Sequence, residues 1–317
     1  MIRCFYLEDN ELLWEKGPES LAMDNANKMV WVDLQSPSDE EQKQVENFFH
    51  IEFFTPQEAA EIESSSRYFE DDSGFEANSA FVVHENASYI TKQVSFIFKD
   101  DILFTHRRTD LKSFAETVRK IKTFKKGAAN KAIQIFLLLL ETQIDLDADF
   151  IEFLTRKTNT ISKKLVNERS IEEEILLRIT GLQENTILIR GSIVDKQRLV
   201  SSLLKSDLVE DPEKERLRII LKDINSLLQH TQFSFERLEY LQNTFLGLVN
   251  IDQNQVIKIF TVVTVIFMPP TLIASVYGMN FKFLPELEWD YGYPFALLLM
   301  VLSSLSFLWY FKRKNWL

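Results

Sequence analysis

Two long apolar runs near the C-terminus limit what this chain can fold into more than any other feature of its sequence. Residues 256–277 contain a single charged side chain, Lys258, and residues 295–311 contain none. Each run, together with its flanks, reaches the roughly 20 residues that a helix needs to cross the hydrocarbon core of a bilayer. The alternative is a buried hairpin of two core helices, but uncharged runs of this length are rare in soluble domains. The sequence therefore predicts two membrane-spanning helices, called here the first and the second span.

The charges beside the two spans predict their orientation. Residues 312–314 are Lys-Arg-Lys and directly follow the second span, whereas the segment between the spans is mainly acidic, with Glu286, Glu288 and Asp290. Basic flanks of membrane helices stay in the cytosol. We therefore expect a multi-pass protein of the cell (inner) membrane, with both termini in the cytosol and a short external loop.

The composition favours cations over nucleic acid as partners. The chain has 47 acidic and 36 basic residues and a formal net charge of -11, which would repel phosphates. Cys4 is the single cysteine, which excludes an intramolecular disulfide and a cysteine-rich metal site. An enzyme is not predicted, because there is no phosphate-binding or dinucleotide-binding glycine motif and the four histidines are scattered: His50, His84, His106 and His230.

Polar residues follow one side of the first span and the segment before it. At helical spacing they form a single stripe with Met268: Asn250, Asn254, Thr261, Thr264, Thr271 and Ser275. Pro269 and Pro270 lack amide donors, which leaves the carbonyls of Val265 and Ile266 without their helical partners. In a bilayer such groups are tolerated only against protein or a water-filled cavity. Each hydroxyl by itself fits a bond to its own helix, but the stripe and the two carbonyls together favour a pore wall.

A short motif follows the first span. Tyr277-Gly278-Met279-Asn280, preceded by Met268-Pro269-Pro270-Thr271 and followed by Pro285-Glu286-Leu287, resembles the signature of the CorA family of magnesium transporters. The last residues, 310–317, also resemble that family. The clear resemblance covers the chain from about residue 250 to its end.

The resemblance implies a homopentameric funnel, with five first spans around the axis and five second spans outside them. It also implies a passive channel or transporter, gated by Mg²⁺, that imports hydrated Mg²⁺ and also Co²⁺ or Ni²⁺ down the electrochemical gradient. The implied partners are further copies of the chain, lipid and divalent cations. No cofactor is implied beyond Mg²⁺, which would be both cargo and regulatory ligand.

The resemblance assigns roles to residues of the first span. Gly278, Met279 and Asn280 are expected to form the selectivity filter. The expected pore-lining residues are Asn254, Ile257, Phe260, Thr264, Met268 and Thr271. Phe260 occupies a position where the family usually has a smaller aliphatic gate, so it either closes the pore itself or turns aside and exposes Thr261. The proline pair is a second departure, since one proline is expected.

A regulatory ion site is also implied, in which cytosolic Mg²⁺ bridges carboxylates of adjacent subunits. Glu85 and Asp223 are the candidates, although each also fits an ordinary surface carboxylate. Two other functions stay open. One is a zinc transporter of the same superfamily, against which Met279 argues; the other is a non-conducting membrane scaffold or sensor, against which the polar stripe and the prolines argue.

The pattern of the whole chain predicts an α+β membrane protein. Residues 1–130 contain short β-rich runs, with a hairpin turn expected at Lys99-Asp100-Asp101, and predict a cytosolic α/β domain. A cytosolic antiparallel helical hairpin is predicted at 131–212 and a stalk helix at 213–255, continuous with the first span at 256–277. The external loop follows at 278–291, the second span at 292–311 and a basic cytosolic tail at 312–317. The alternative for the stalk is a soluble bundle joined to the membrane by a loop near Gly247 and Asn250.

Overall fold

The computed structural model describes residues 1–8, 11–21, 28–54, 67–85, 88–123, 131–167, 171–280, 282, 285 and 289–314. The chain divides into two compact units, Met1–Gln242 and Asn243–Leu317. The boundary between them falls inside one long helix, which begins in the first unit and ends in the second.

A seven-stranded mixed sheet forms the centre of the first unit. Its strands are β1 (Ile2–Glu8), β2 (Glu11–Lys16), β3 (Met29–Gln35), β4 (Tyr68–Asp71), β5 (Gly74–Glu85), β6 (Ser88–Lys99) and β7 (Ile102–Arg107). They lie in the order β2-β1-β3-β7-β6-β5-β4, and only the pair β3–β7 is parallel. The predicted hairpin turn is confirmed: Asp100 and Asp101 join β6 to β7 with φ of 51° and 61°, the left-handed backbone that tight two-residue turns require.

Six α-helices accompany the sheet in the described residues: α1 (Asp39–Phe49), α2 (Lys112–Thr123), α3 (Ala132–Asn167), α4 (Glu173–Leu203), α5 (Asp211–Tyr277) and α6 (Gly292–Arg313). Helices α3 and α4 occupy the two segments from which the sequence predicts a helical hairpin. The sequence pattern of residues 56–63 also favours a helix, but this segment lies outside the described residues.

The long helix predicted from residue 213 to the end of the first span is confirmed. Helix α5 contains 67 residues, and Gly247 and Asn250 lie inside it. The alternative of a separate soluble bundle joined by a loop is therefore wrong. Glycine is tolerated here because a single helix-weakening residue costs only about 1 kcal/mol relative to alanine.

The hydrophobic core of the first unit lies on both faces of the sheet. One face carries Trp31 and Phe96 and packs against helices that contribute Phe114 and Phe136. The other face carries Val32 and Leu34 and packs against α1 through Val45. Strand β3 is therefore buried on both faces, as is typical of a central strand in a sheet that helices cover on each side.

Two pairs of oppositely charged side chains are buried in the described part of this unit, Asp33 with Arg107 and Asp147 with Lys196. The Asp33 carboxylate accepts two hydrogen bonds from Arg107, both 3.1 Å, one of 2.8 Å from Thr105 Oγ1 and one of 3.0 Å from Arg3 Nε. These contacts connect β1, β3 and β7. A buried carboxylate is tolerated when its oxygens are satisfied in this way.

The second buried pair joins the helices to the sheet. Lys196 Nζ on α4 lies 3.0 Å from Asp147 Oδ2 on α3, and neither side chain is exposed. Lys196 also donates to the carbonyl oxygen of Ala80 on β5 at 3.0 Å and to Ser192 Oγ at 2.6 Å. Burial raises the pKa of Asp147, and the neighbouring Lys196 ammonium opposes that rise.

The second unit exposes its apolar residues. Both α5 and α6 are long and apolar enough to cross a membrane. Their large side chains are mostly exposed: Phe260 and Met268 are each 69% exposed and Tyr293 is 77% exposed. A core hairpin of a soluble protein would bury such residues, so the arrangement favours the two predicted spans over that alternative.

Candidate functional site

The predicted filter residues lie where α5 ends. The Gly278 amide donates to the Ala274 carbonyl at 2.9 Å, and the Met279 amide donates to the Val276 carbonyl at 3.3 Å. A Cβ at position 278 would lie 3.1 Å from the Ala274 oxygen, so the tight last turn favours glycine. Asn280 follows as an exposed residue outside regular structure. The negative end of the helix dipole therefore lies next to the Asn280 side chain.

The residues predicted to line a pore share one property in the structure: all are exposed. They are Asn254, Ile257, Phe260, Thr264, Met268 and Thr271. A different face of α5 is half-buried within the second unit, and its members again follow helical spacing: Val262, Val265, Ile266, Pro269, Pro270, Ile273 and Tyr277. The chain's own contacts therefore leave the predicted pore face uncovered.

The threonine hydroxyls on the exposed face donate to their own helix. Thr261 bonds the Ile257 carbonyl at 2.8 Å, and Thr264 bonds the Phe260 carbonyl at 2.8 Å. Thr271 bonds the carbonyl four residues before it at 2.7 Å. This is the arrangement expected of each residue taken singly. Because each hydroxyl donates its proton to a carbonyl of its own helix, its oxygen keeps its lone pairs as acceptors on the exposed side. A cation or its water shell would need such acceptors there.

One of the two carbonyls that lose their helical donor to proline has a donor on the other span. Ser304 Oγ on α6 donates to the Ile266 carbonyl on α5 at 2.9 Å. The Ile266 carbonyl therefore lies against protein, which is one of the two environments in which a carbonyl without its helical donor is tolerated in a bilayer. Sequence reasoning missed Ser304, although the adjacent Ser303-Ser304 are the hydroxyl residues nearest the centre of an otherwise apolar run.

The candidate regulatory carboxylates do not form a cluster in the described chain. Glu85 ends β5 and lies 3.6 Å from the Lys92 ammonium, with 40% of its side chain exposed. Asp223 is an exposed residue of α5. Among the described residues no group of three or more His, Cys, Asp or Glu side chains is arranged to hold a metal ion. Of the acidic residues between the two spans, Glu286 and Glu288 lie outside the described residues.

Comparison with known proteins identifies the family. A family model described as "CorA-like Mg2+ transporter protein" matches residues 26–313, which is most of the chain. This chain belongs to the CorA-like magnesium transporter family. The resemblance inferred from the Gly-Met-Asn motif and its flanks is therefore confirmed, and it extends well beyond the two spans.

Individual members of the CorA-like family align with this chain from end to end. The magnesium transport protein CorA of Wolinella succinogenes is 37% identical over 322 residues, covering 100% of both chains. That of Escherichia coli K12 is 37% identical over 320 residues, again covering 100% of both. The structure of the CorA magnesium transporter of Methanocaldococcus jannaschii superposes with a TM-score of 0.82 at 20% identity, over 100% of this chain and 99% of that one. This likeness extends the shared fold to the full length of the chain.

Proposed function

We propose that this protein is a subunit of a homopentameric, passive channel that imports hydrated Mg²⁺ across the cell membrane. The observation that carries the proposal is the end of α5, where Gly278 closes the helix and exposes Asn280 directly after a face of α5 that the chain itself leaves uncovered. Full-length relatives that are named magnesium transport proteins support the choice of ion.

Asn280 is proposed to recognise the ion through its water shell. Mg²⁺ is small and dehydrates reluctantly, so a ring of neutral side-chain oxygens from several copies can hold the hydrated ion without stripping it. The carbonyls at the end of α5 add a partial negative charge near the same place. A carboxylate there would bind the ion more tightly and slow its release.

The exposed face of α5 is proposed to form the wall of the pathway. Its polar members, Asn254, Thr264 and Thr271, would contact the water shell through oxygen lone pairs. Ile257, Phe260 and Met268 lie between them on the same face and would form hydrophobic rings. A hydrophobic constriction stops ions by excluding water, and Phe260, the bulkiest of these residues, is the proposed gate.

The proposed driving force is the electrochemical gradient. An inward membrane potential contributes about 2.3 kcal/mol per unit charge per 100 mV, and Mg²⁺ carries two charges. The basic residues at 312–314 place both termini inside the cell in this proposal. Because the gradient supplies the energy, entry needs no nucleotide. Co²⁺ and Ni²⁺ are proposed as further cargo. Cytosolic Mg²⁺ is proposed to close the pathway by bridging Glu85 and Asp223 of adjacent copies.

The test is ion flux into liposomes that contain only the purified protein. We expect Mg²⁺ uptake driven by an inside-negative potential, and we expect Asn280→Ala to abolish it at equal incorporation and with assembly intact. Asn159→Ala, at an exposed asparagine of α3, is the matched control and should transport normally.

Each contrary result identifies which part of the proposed function is wrong. Near-normal flux through Asn280→Ala would refute the role of this side chain. Zn²⁺ uptake without Mg²⁺ uptake would favour the zinc transporter. No ion flux at all from correctly assembled protein would favour the scaffold or sensor.

A further inference from the structure

The two spans are joined by a hydrogen bond at the point where the first is interrupted by proline. Ser304 Oγ, part-buried on α6, donates to the main-chain oxygen of Ile266 on α5 at 2.9 Å, across a sequence separation of 38 residues. The neighbouring Ser303 behaves differently, because its hydroxyl donates to the Met300 carbonyl of its own helix at 2.8 Å. The two adjacent serines therefore have distinct roles.

Ile266 needs an outside donor because of Pro270. In a regular helix its carbonyl would accept from the amide four residues later, and that residue is Pro270, which has no N–H. An unpaired carbonyl inside a bilayer is costly because no water can replace the missing bond. The Ser304 hydroxyl supplies the donor that Pro270 lacks. Pro269 likewise removes the amide that would donate to the Val265 carbonyl, but Ser304 does not donate to that carbonyl.

We infer that Ser304 is a positioning residue for the selectivity filter. By bonding Ile266 it fixes α6 to α5 at the proline break, where the helix has lost part of its own hydrogen-bond ladder and bends most easily. The bond thereby sets the direction of the last turns of α5, which end at Gly278 and Asn280. This inference rests on the proposed function, in which Asn280 contacts the hydrated ion.

The distance from the break to the filter amplifies a small change in direction. Tyr277 ends α5 eleven residues after Ile266, about 16 Å along the helix at 1.5 Å per residue. A change of about 10° at the break would therefore move the filter by roughly 3 Å, more than a hydrogen-bonded site tolerates. Loss of the Ser304 bond should accordingly weaken ion recognition at Asn280, and not only the stability of the protein.

The experiment measures how Mg²⁺ flux into liposomes depends on the Mg²⁺ concentration. We expect Ser304→Ala to raise the half-saturating concentration about fivefold, the effect of one lost hydrogen bond. Ser303→Ala is the matched control and should stay within about twofold of wild type. Ser304→Thr keeps the hydroxyl and should behave like wild type. A merely structural role would lower the amount of active protein and leave the half-saturating concentration unchanged.

The prolines provide a specific rescue. Pro270→Ala restores an amide for the Ile266 carbonyl, so Ser304→Ala should have no further effect in that background. Pro269→Ala restores the amide for Val265 instead, so Ser304→Ala should keep its fivefold effect there. Equal rescue by both proline substitutions would overturn the assignment to Ile266. Equal behaviour of Ser304→Ala and Ser303→Ala would overturn the inference altogether.

Hydrogen exchange provides a readout that does not need transport. Amides of residues 271–277 should exchange faster in Ser304→Ala than in Ser303→Ala, in full-length protein in nanodiscs, and Pro270→Ala should remove that difference. If exchange is the same in both serine variants, Ser304 does not hold α5 and the inference fails. If exchange behaves as expected but wild-type protein carries no ion, the proposed function fails instead.

Discussion

Residues 1–242 bury several charged side chains and pair them within the chain, whereas residues 243–317 expose most of their apolar side chains. In the first unit, Asp33 and Lys196 have no solvent exposure and each is bonded from several elements. In the second unit, the threonine hydroxyls donate to carbonyls of their own helix, and the side chains of Phe260 and Met268 are exposed. The buried charges of the first unit are thus satisfied by distant strands and helices, whereas these threonines of the second unit are satisfied by the adjacent turn, and the Ile266 carbonyl is bonded across the two spans by Ser304.

The difference shows how each unit obtains its stability. The first unit packs on itself, so its surface can be charged and its buried charges must find partners inside. The second unit satisfies its backbone groups mainly within each helix, with Ser304 replacing one donor that proline removes, and its exposed apolar surface is typical of membrane-spanning helices. Substitutions in the two units should therefore have separable effects, on folding in the first and on transport in the second.

The largest effect on folding should come from Asp33→Ala. It leaves the Arg107 guanidinium, which is 1% exposed, with only the exposed carboxylate of Asp110 at 3.3 Å, and breaking a buried ion pair from one side costs about 3–5 kcal/mol. Hydrogen exchange should rise throughout β1, β3 and β7 but not in α6.

The control for this prediction is an exposed ion pair of the same unit. Glu152 and Arg156 are each 64% exposed and lie 2.6 Å apart on α3. Glu152→Ala should cost less than about 1 kcal/mol, because solvent screens exposed pairs. Equal destabilisation by the two variants would contradict the contrast between buried and exposed charges.

Phe260→Gly should change transport and leave the stability of the first unit unchanged. The side chain is exposed, so the thermal midpoint of the first unit should be unchanged, while Mg²⁺ leak at high internal Mg²⁺ should increase several-fold because the dewetting barrier is lower. Closed-state flux in liposomes measures this. Unchanged leak would place Phe260 outside the pathway and favour the alternative in which Thr261 lines it.

A smaller effect is expected from replacing Glu85 and Asp223 together by Ala. Millimolar Mg²⁺ should increase the protease resistance of wild-type protein, since bridged subunits move less, and the double variant should lose that protection and keep its flux high. Identical protection in both proteins would exclude these two residues as the sensor. If Mg²⁺ protects neither, closure by a bridging ion is the wrong mechanism.

The smallest effect should come from His106, on the α1 side of β7. Burial lowers the pKa of His106 below its usual 6.5, and the nearby Arg108 adds to this, whereas Glu46 and Asp33 oppose it. As the pH falls, the unfolded chain therefore takes up a proton on His106 near pH 6.5, whereas the folded chain does not. The buried neutral His106 makes its full contribution to the free energy of unfolding above that pH, and this contribution is lost as the pH falls below it. His106→Gln should reduce the drop in thermal midpoint between about pH 7.5 and pH 5.5. An equal drop in both proteins would remove His106 from the acid sensitivity.

Local patterns in the sequence were sufficient for several features. The uncharged runs, the Gly-Met-Asn motif and the turn at Asp100-Asp101 each depend on residues that are adjacent or a few positions apart. Length, hydrophobicity and backbone geometry act at that range, which is why the two candidate spans, the long helix and the β6–β7 hairpin could be predicted. The resemblance to the CorA family also depended on neighbouring residues, those at the end of α5.

Contacts between residues far apart in sequence were decided by the tertiary structure. Asp33 and Arg107 meet because β3 and β7 pair in parallel, and Lys196 meets Asp147 because α3 and α4 pack on the same face of the sheet. The Ile266 carbonyl is a further case: proline chemistry predicts that it loses its helical donor, but only the packing of α6 beside α5 supplies Ser304 as the replacement. A sequence indicates that a polar group needs a partner, whereas the packing of distant elements determines which residue provides it.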